Sequence, residues 1–549
     1  METSPNNSTG NEILQHLKSI ESRISRIESY LDLHPSQPEE VQQAEIIVLK
    51  KKSEADEELE YRIGQYWFAK LGIFVFLLGW LIANTLQFEN LNQLIPLLVG
   101  FITGMAAIAS SIFIRNRFPH LSGWMLGSGF VILYIAALRT HFFSLSPLIA
   151  DIIAVLVILY IISFVIIFTG IKLRSPYLTS LGISAAFLSA IISDYSYSVF
   201  LTIAALVILS ANLKIKLNWS GLFNFTIVTA YLVHLIWFIN DPLVGNQLEL
   251  QTGQPINLIF ILIYQIIFGI AYLADKKYDE YLPTALSILV NTSMSYGLFL
   301  LITILSAPSF GQGYNLLASI VFLGFAILFF TKKSSKIATF YYAMTGYTAL
   351  SVAIILQFEK PDFFIWLCWQ SLLVVSTAVW FRSKFIIVAN FFIFLLIFFA
   401  FLILSGVTSG ISFSFGVVAL LSARILNWKK DQLELKTEQM RNAYLLTALL
   451  IIPYSLYHMM PSGYVAFSWI AVAILYYIFS LLLKNVKYRY MSLATYLLTV
   501  VYVFVLGITS DETIFKILSF LVLGAALVII SVVYTRNRNK STKQNESEG

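Results

Sequence analysis

Eighteen apolar runs of about twenty residues each, separated by charged or turn-forming breaks, constrain this chain more than any other feature. At ~1.5 Å of rise per residue such a run covers the ~30 Å hydrocarbon core of a bilayer. The first nine begin near Trp67, Leu94, Leu121, Pro147, Pro176, Ser198, Trp219, Ile256 and Pro283. The other nine begin near Asn315, Ile337, Phe363, Phe385, Ile411, Ala443, Gly463, Met491 and Ile514. Backbone immersed in lipid must satisfy its own hydrogen bonds, so runs of this length become helices. The predicted fold is therefore all-α: a polytopic α-helical integral membrane protein with about 18 transmembrane helices. Composition agrees, since 58% of the 549 residues are hydrophobic and only 12% charged, against about 25% charged in soluble domains.

The basic residues give the runs a direction. Lys50, Lys51, Lys52, Arg62 and Lys70 crowd the N-terminal side of the first run, and only Glu89 follows it. Pairs or clusters then recur between even and odd runs, as with Arg115 and Arg117, Lys172 and Arg174, Lys214 and Lys216, and Arg382 and Lys384. Of the 36 Lys and Arg, only Arg139, Lys360 and Lys516 fall near the other side. The positive-inside rule then predicts both termini in the cytoplasm and an array of hairpins. Three regions follow: a cytoplasmic arm over 1–66, the array over 67–535 and a polar cytoplasmic tail over 536–549.

Within the arm, Ile13, Leu17, Ile20, Ile24, Ile27 and Leu31 alternate steps of four and three, which is a heptad seam. Three heptads are marginal alone, so the seam predicts a coiled coil with a second copy or with another cytoplasmic helix. Without such a partner it is a solvated amphipathic helix. Pro35 and Pro38 break the helix and make the segment near 34–40 a linker. A second charged helix is expected from Val41 to Tyr61.

Side-chain chemistry is sparse. No HExxH, CxxC, phosphate-binding loop or nucleophile elbow occurs, and no catalytic residue, metal site or cofactor is expected. The single cysteine, Cys368, lies inside an apolar run and excludes an intrachain disulfide. The net charge of +6 comes from residues at the ends of runs, which predicts membrane lipids as partners and no nucleic acid. A candidate polar intramembrane site comprises Arg139, His141, Asp151 and His234. If the third and fourth runs turn near Leu145, Arg139 and Asp151 reach equal depth and should pair, with Asp151 one turn inside its span. Asn84, Asn224, Gln265, Asn291, Gln370 and Asn390 either glue helices together or line a polar path. Gly72, Gly79, Gly100, Gly104, Gly123, Gly127 and Gly129 are read as points of close helix approach.

Three segments carry a resemblance: WFAKLGIFVFLLGW from Trp67, GSGFVILYIAALRTHFFSLSP from Gly127 and LRSPYLTSLGISAAFLSAIIS from Leu173. They resemble a family of uncharacterised bacterial multi-pass membrane proteins, a domain of unknown function with an N-terminal coiled coil and a long helical array. Ser184, Ala185 and Ala186 stand where that family has a Gly-Gly-Phe-like run, so the third segment departs from the pattern. The resemblance implies a bacterial inner-membrane location and brings with it no established activity and no functional residue. The first functional reading is a non-enzymatic membrane protein whose arm mediates self-association or docking. The second is a transporter or flippase of an amphipathic substrate. A membrane acyltransferase resting on His141 or His234 is the third.

Overall fold

In the computed structural model of the chain, the structure describes residues 7–30, 68–85, 94–143, 147–193, 195–242, 245–252, 255–275, 282–306, 309–405, 410–428 and 437–505, with helical positions at 517, 521–522, 524–525 and 528. Among the described residues there are α-helices throughout and no strand. In chain order they are α1 (Asn7–Tyr30), α2 (Phe68–Thr85), α3 (Leu94–Ile114), α4 (Pro119–Arg139), α5 (Ile152–Lys172) and α6 (Pro176–Ile192). Next come α7 (Ser196–Leu217), α8 (Ser220–Phe238), α9 (Ile256–Ala274), α10 (Leu282–Ser306), α11 (Gly311–Leu328) and α12 (Lys336–Gln357). The last are α13 (Phe363–Trp380), α14 (Lys384–Ser405), α15 (Gly410–Trp428), α16 (Thr437–Met459), α17 (Val465–Leu482) and α18 (Val486–Val505). Two compact units contain them, Met1–Asp151 with α1 to α4 and Ile152–Gly549 with the rest.

The protein is an all-α polytopic membrane protein, and 14 of these helices are long and apolar enough to cross a bilayer. Each of the first seventeen predicted spans coincides with one of α2 to α18, while the eighteenth, from Ile514, falls largely outside the described residues. The helices are apolar on both sides, as lipid requires. On α5, Val155, Leu159 and Ile166 are buried while Ile161, Phe164 and Phe168 face outward, and no polar stripe marks the outer face.

Four starts differ from expectation, the simplest being α11, which begins at Gly311 rather than near Asn315. Helix α5 starts at Ile152 rather than near Pro147, because Leu148 and Ile149 instead bond their amides to the Thr140 carbonyl at 2.9 and 3.1 Å. Helices α16 and α18 start ahead of Ala443 and Met491, since the charged stretches TEQMRN and VKYRY continue the helix past the apolar run.

No residue-for-residue repeat is visible in the sequence, but one turn recurs. After α5, Arg174 adopts φ +53° and Ser175 sends its amide back to the Gly170 carbonyl at 2.9 Å. The Ser175 hydroxyl then caps α6 by accepting from the Leu178 amide. Ser334 and Ser335 repeat this before α12, Arg382 and Ser383 before α14, and Lys484 and Asn485 before α18. A single left-handed residue ends one helix and a Ser or Asn starts the next, which is the most compact way to reverse a helix. The left-handed residue is basic in three of these four turns, which suits a position among lipid headgroups. Consecutive helices whose connecting sequence carries basic residues pack most extensively: α3 on α4 in the first unit, and α5 on α6, α11 on α12, α15 on α16 and α17 on α18 in the second.

Glycines close some of these hairpins and not others. A Cβ on Gly104 would lie 3.1 Å from the Gly129 carbonyl, and one on Gly129 would lie 2.9 Å from that of Gly104. Gly72, Gly79 and Gly123, expected to serve the same purpose, have no such neighbour within 4 Å among the described residues. Sequence cannot separate a glycine facing a helix from one facing lipid.

Helix α1 is present as predicted, with Leu17, Ile20, Ile24 and Ile27 exposed along it. The Ile13 side chain, Leu31, the linker near 34–40, the second arm helix and the 536–549 tail lie outside the described residues.

Candidate functional site

Helices α7, α8, α10 and α9 form a ring in the second unit: α7 packs on α8 and α9, and α10 packs on the same two. Residues of α8 and α9 therefore meet across the middle. Tyr231 of α8 donates its hydroxyl to Asn291 Oδ1 of α10 at 2.9 Å and lies 3.4 Å from Gln265 Oε1 of α9. One phenol thus ties three helices together at mid-depth. A phenol has one hydrogen to give, so the second amide is served only if its NH2 group donates to the phenolic oxygen.

The ring also holds polar atoms with no hydrogen-bond partner among the described residues. They are both ring nitrogens of His234, both side-chain atoms of Asn257, and the Gln265 and Asn291 NH2 groups. All four residues are fully buried. Leaving such groups unmatched in a lipid-like interior costs about 1–3 kcal/mol each. His234 is held by rings, stacked on Phe200 at 5.1 Å with Trp237 and Tyr264 edge-on at 5.6 and 5.9 Å.

Amides elsewhere behave differently. Gln370 donates to the Tyr347 carbonyl at 2.8 Å and to Ser351 at 3.0 Å, and Asn390 donates to Ser371 at 2.8 Å and Tyr444 at 3.1 Å. Those two are helix glue, with every NH2 group used. Gln265 and Asn291 are not saturated in that way.

Ion-pairing groups close the basic-turn end of the ring. Lys214, three residues from the end of α7, is buried, and its ammonium lies 3.3 Å from Asp275 Oδ2. The rings of Phe223 and Tyr272 flank it at 5.3 and 5.2 Å. Lys333, in the π-helical turn Phe329–Lys333 that continues α11, donates to the Asp275 carbonyl at 2.6 Å. At the opposite end the chain leaving α8 folds back. Gln251 donates its backbone amide to the Phe238 carbonyl at 2.9 Å and its side-chain amide to Asn240 Oδ1 at 2.7 Å, and the neighbouring Asp241 is buried.

Of the four residues proposed from sequence, only His234 lies in this ring. The other three belong to the first unit. Arg139 is buried at the end of α4, and His141 Nδ1 lies 2.9 Å from the Ile149 carbonyl. Asp151 is exposed and immediately precedes α5, so it sits at a helix N-terminus, where a carboxylate is favoured, and not a turn inside the span. Sequence reading missed Lys214, Asp241 and Asp275, because each stands beside a turn and looks like an ordinary interfacial charge. The signal available was the neighbourhood of Asp275, the one acid directly before the Lys276 and Lys277 pair.

No protein-family model, curated protein or solved structure matches the chain.

Proposed function

We propose that the protein is a membrane transporter of small polar species whose path runs inside the α7–α10 ring. The observation that carries this reading is the set of buried, unmatched polar groups on α8, α9 and α10, whereas the other buried amides among the described residues, Asn315, Gln370 and Asn390, each donate to a protein oxygen. The side chains of Gln265 and Asn291 offer hydrogen bonds to something other than protein. A cysteine in place of Gln265, with Cys368 changed to Ala, tests it. A thiol reacts with aminoethyl methanethiosulfonate as its thiolate, which needs water. Gln265→Cys should be modified, while Ile270→Cys, on the outward face of the same helix, should not. Equal inertness at both positions would contradict the path.

The arm supports a second element of function, self-association. Leu17, Ile20, Ile24 and Ile27 form an exposed seam with heptad spacing, and their Leu and Ile content leans away from a parallel dimer. A peptide covering Asn11 to His34 should sediment as a helical oligomer, and removing the arm should reduce the size of the detergent-extracted particle. A monomeric peptide with an unchanged particle would reject it. The distribution of basic residues and the family resemblance support a bacterial cytoplasmic membrane with both termini inside.

A further inference from the structure

We infer that the species moved through the α7–α10 ring is the proton, passed between Asp241 at one end and Asp275 at the other. This rests on the reading that the ring surrounds a path. No acid stands in the middle of the α7–α10 helices. The fold instead supplies two buried carboxylates, one at each end of the same ring.

Between them the polar groups are spaced over the depth of a bilayer. Asn257 and Gln265 on α9, and Asp275 just past its end, are separated by eight and ten residues, which at 1.5 Å per residue spreads them over about 27 Å. Tyr231 and His234 are three apart on α8 and so share a face. His234 can accept a proton at one ring nitrogen and release one from the other, and neither is engaged by a described protein group. Tyr231 joins Asn291 and comes within reach of Gln265. Of these groups the His234 imidazole and the Tyr231 hydroxyl can each take up one proton while releasing another, and the amides of Asn257, Gln265 and Asn291 offer donors and acceptors that orient what carries the proton between them.

The packing argues against a larger cation. Phe200, Trp237, Tyr264 and Phe268 fill the space around these groups, whereas a metal cation needs about six oxygen ligands. Charge at the Asp275 end points the same way. Lys214 from α7 and Lys333 from the turn after α11 both face that residue and repel an approaching cation. A proton that joins the carboxylate forms one O–H bond and leaves the buried Lys214 ammonium without its counter-charge, so the protonated state is costly and short-lived. Loss of that proton to water restores the pair, so the cycle needs no co-reactant. Asp275 serves as both proton station and latch.

Full-length protein in vesicles loaded with pyranine, with potassium and valinomycin to balance charge, tests the inference by the decay of an imposed pH step. Wild-type vesicles should dissipate the step faster than protein-free ones. His234→Phe, which fits the aromatic surroundings, and Asp241→Asn should each lose that excess rate while eluting as wild type in size exclusion. Since Asp275→Asn alone can fail to fold, Lys214→Met with Asp275→Leu serves for that end and should also lose it. Decay at the protein-free rate in wild type, or an undiminished rate in folded His234→Phe and Asp241→Asn, overturns the proton assignment. If the proton assays fail while Gln265→Cys is modified, the solute path survives without the proton. If Gln265→Cys is inert as well, both fall.

Discussion

Gly170→Leu is expected to abolish recovery of monodisperse protein. A Cβ on Gly170 of α5 would stand 2.7 Å from the Thr179 amide nitrogen and 3.0 Å from its Cα, both backbone atoms of α6 that cannot swing aside. The turn joining the two helices gives no slack, because the Ser175 amide is bonded to the carbonyl of Gly170 itself at 2.9 Å. Overpacking costs about 1–3 kcal/mol even where side chains can yield, and here a helix must move. Gly297→Leu on α10 is the control: nothing lies within 4 Å of its Cβ position, so the leucine gains helix propensity and meets no described neighbour. Fluorescence-detected size exclusion of both variants decides it. A monodisperse Gly170→Leu with an unchanged melting temperature would mean that α5 and α6 do not pack at this point.

Lys214→Met should be the most damaging single change in the ring. The lysine and Asp275 are both buried, and removing one partner of a buried ion pair costs about 3–5 kcal/mol, because the other charge is left without compensation. Methionine keeps most of the apolar stem but removes the ammonium and with it the cation–π contacts to Phe223 and Tyr272, so the loss reports the charge. Adding Asp275→Leu should restore most of the thermal stability, since a matched apolar pair is often as good as the ion pair it replaces. Lys333 would still bond the carbonyl of residue 275, which does not depend on the side chain. Equal melting temperatures for wild type and Lys214→Met, or a double variant as unstable as the single, would show that the pair does not hold the helices.

The spans were legible because each demands an uninterrupted apolar run, and that demand leaves its mark residue by residue. Helix neighbours were not, for the same physical reason: lipid and protein interior are equally apolar, so Ile161 facing outward and Leu159 facing inward look alike. Charge alternation exposed the hairpins, yet it also disguised Lys214, which was read as one more anchor at a span end and instead pairs with a carboxylate across the ring. His234 was legible as a lone intramembrane histidine. Its companions Tyr231, Gln265 and Asn291 lie on three helices, and only the folded chain brings them together. Asp151 was misjudged by the few residues that separate Pro147 from the true helix start, enough to turn a costly buried acid into a favourable one at a helix N-terminus.

The central claim is that the unmatched polar groups of the α7–α10 ring are used by something other than protein. Cryo-electron microscopy of the full chain in lipid nanodiscs, at a resolution that reveals ordered water, tests it most directly. The account predicts non-protein density within hydrogen-bonding distance of Gln265 Nε2, Asn291 Nδ2 and the His234 ring nitrogens. A dry core, with those amides and the imidazole turned to satisfy one another, would contradict it and leave Tyr231, Gln265 and Asn291 as helix glue.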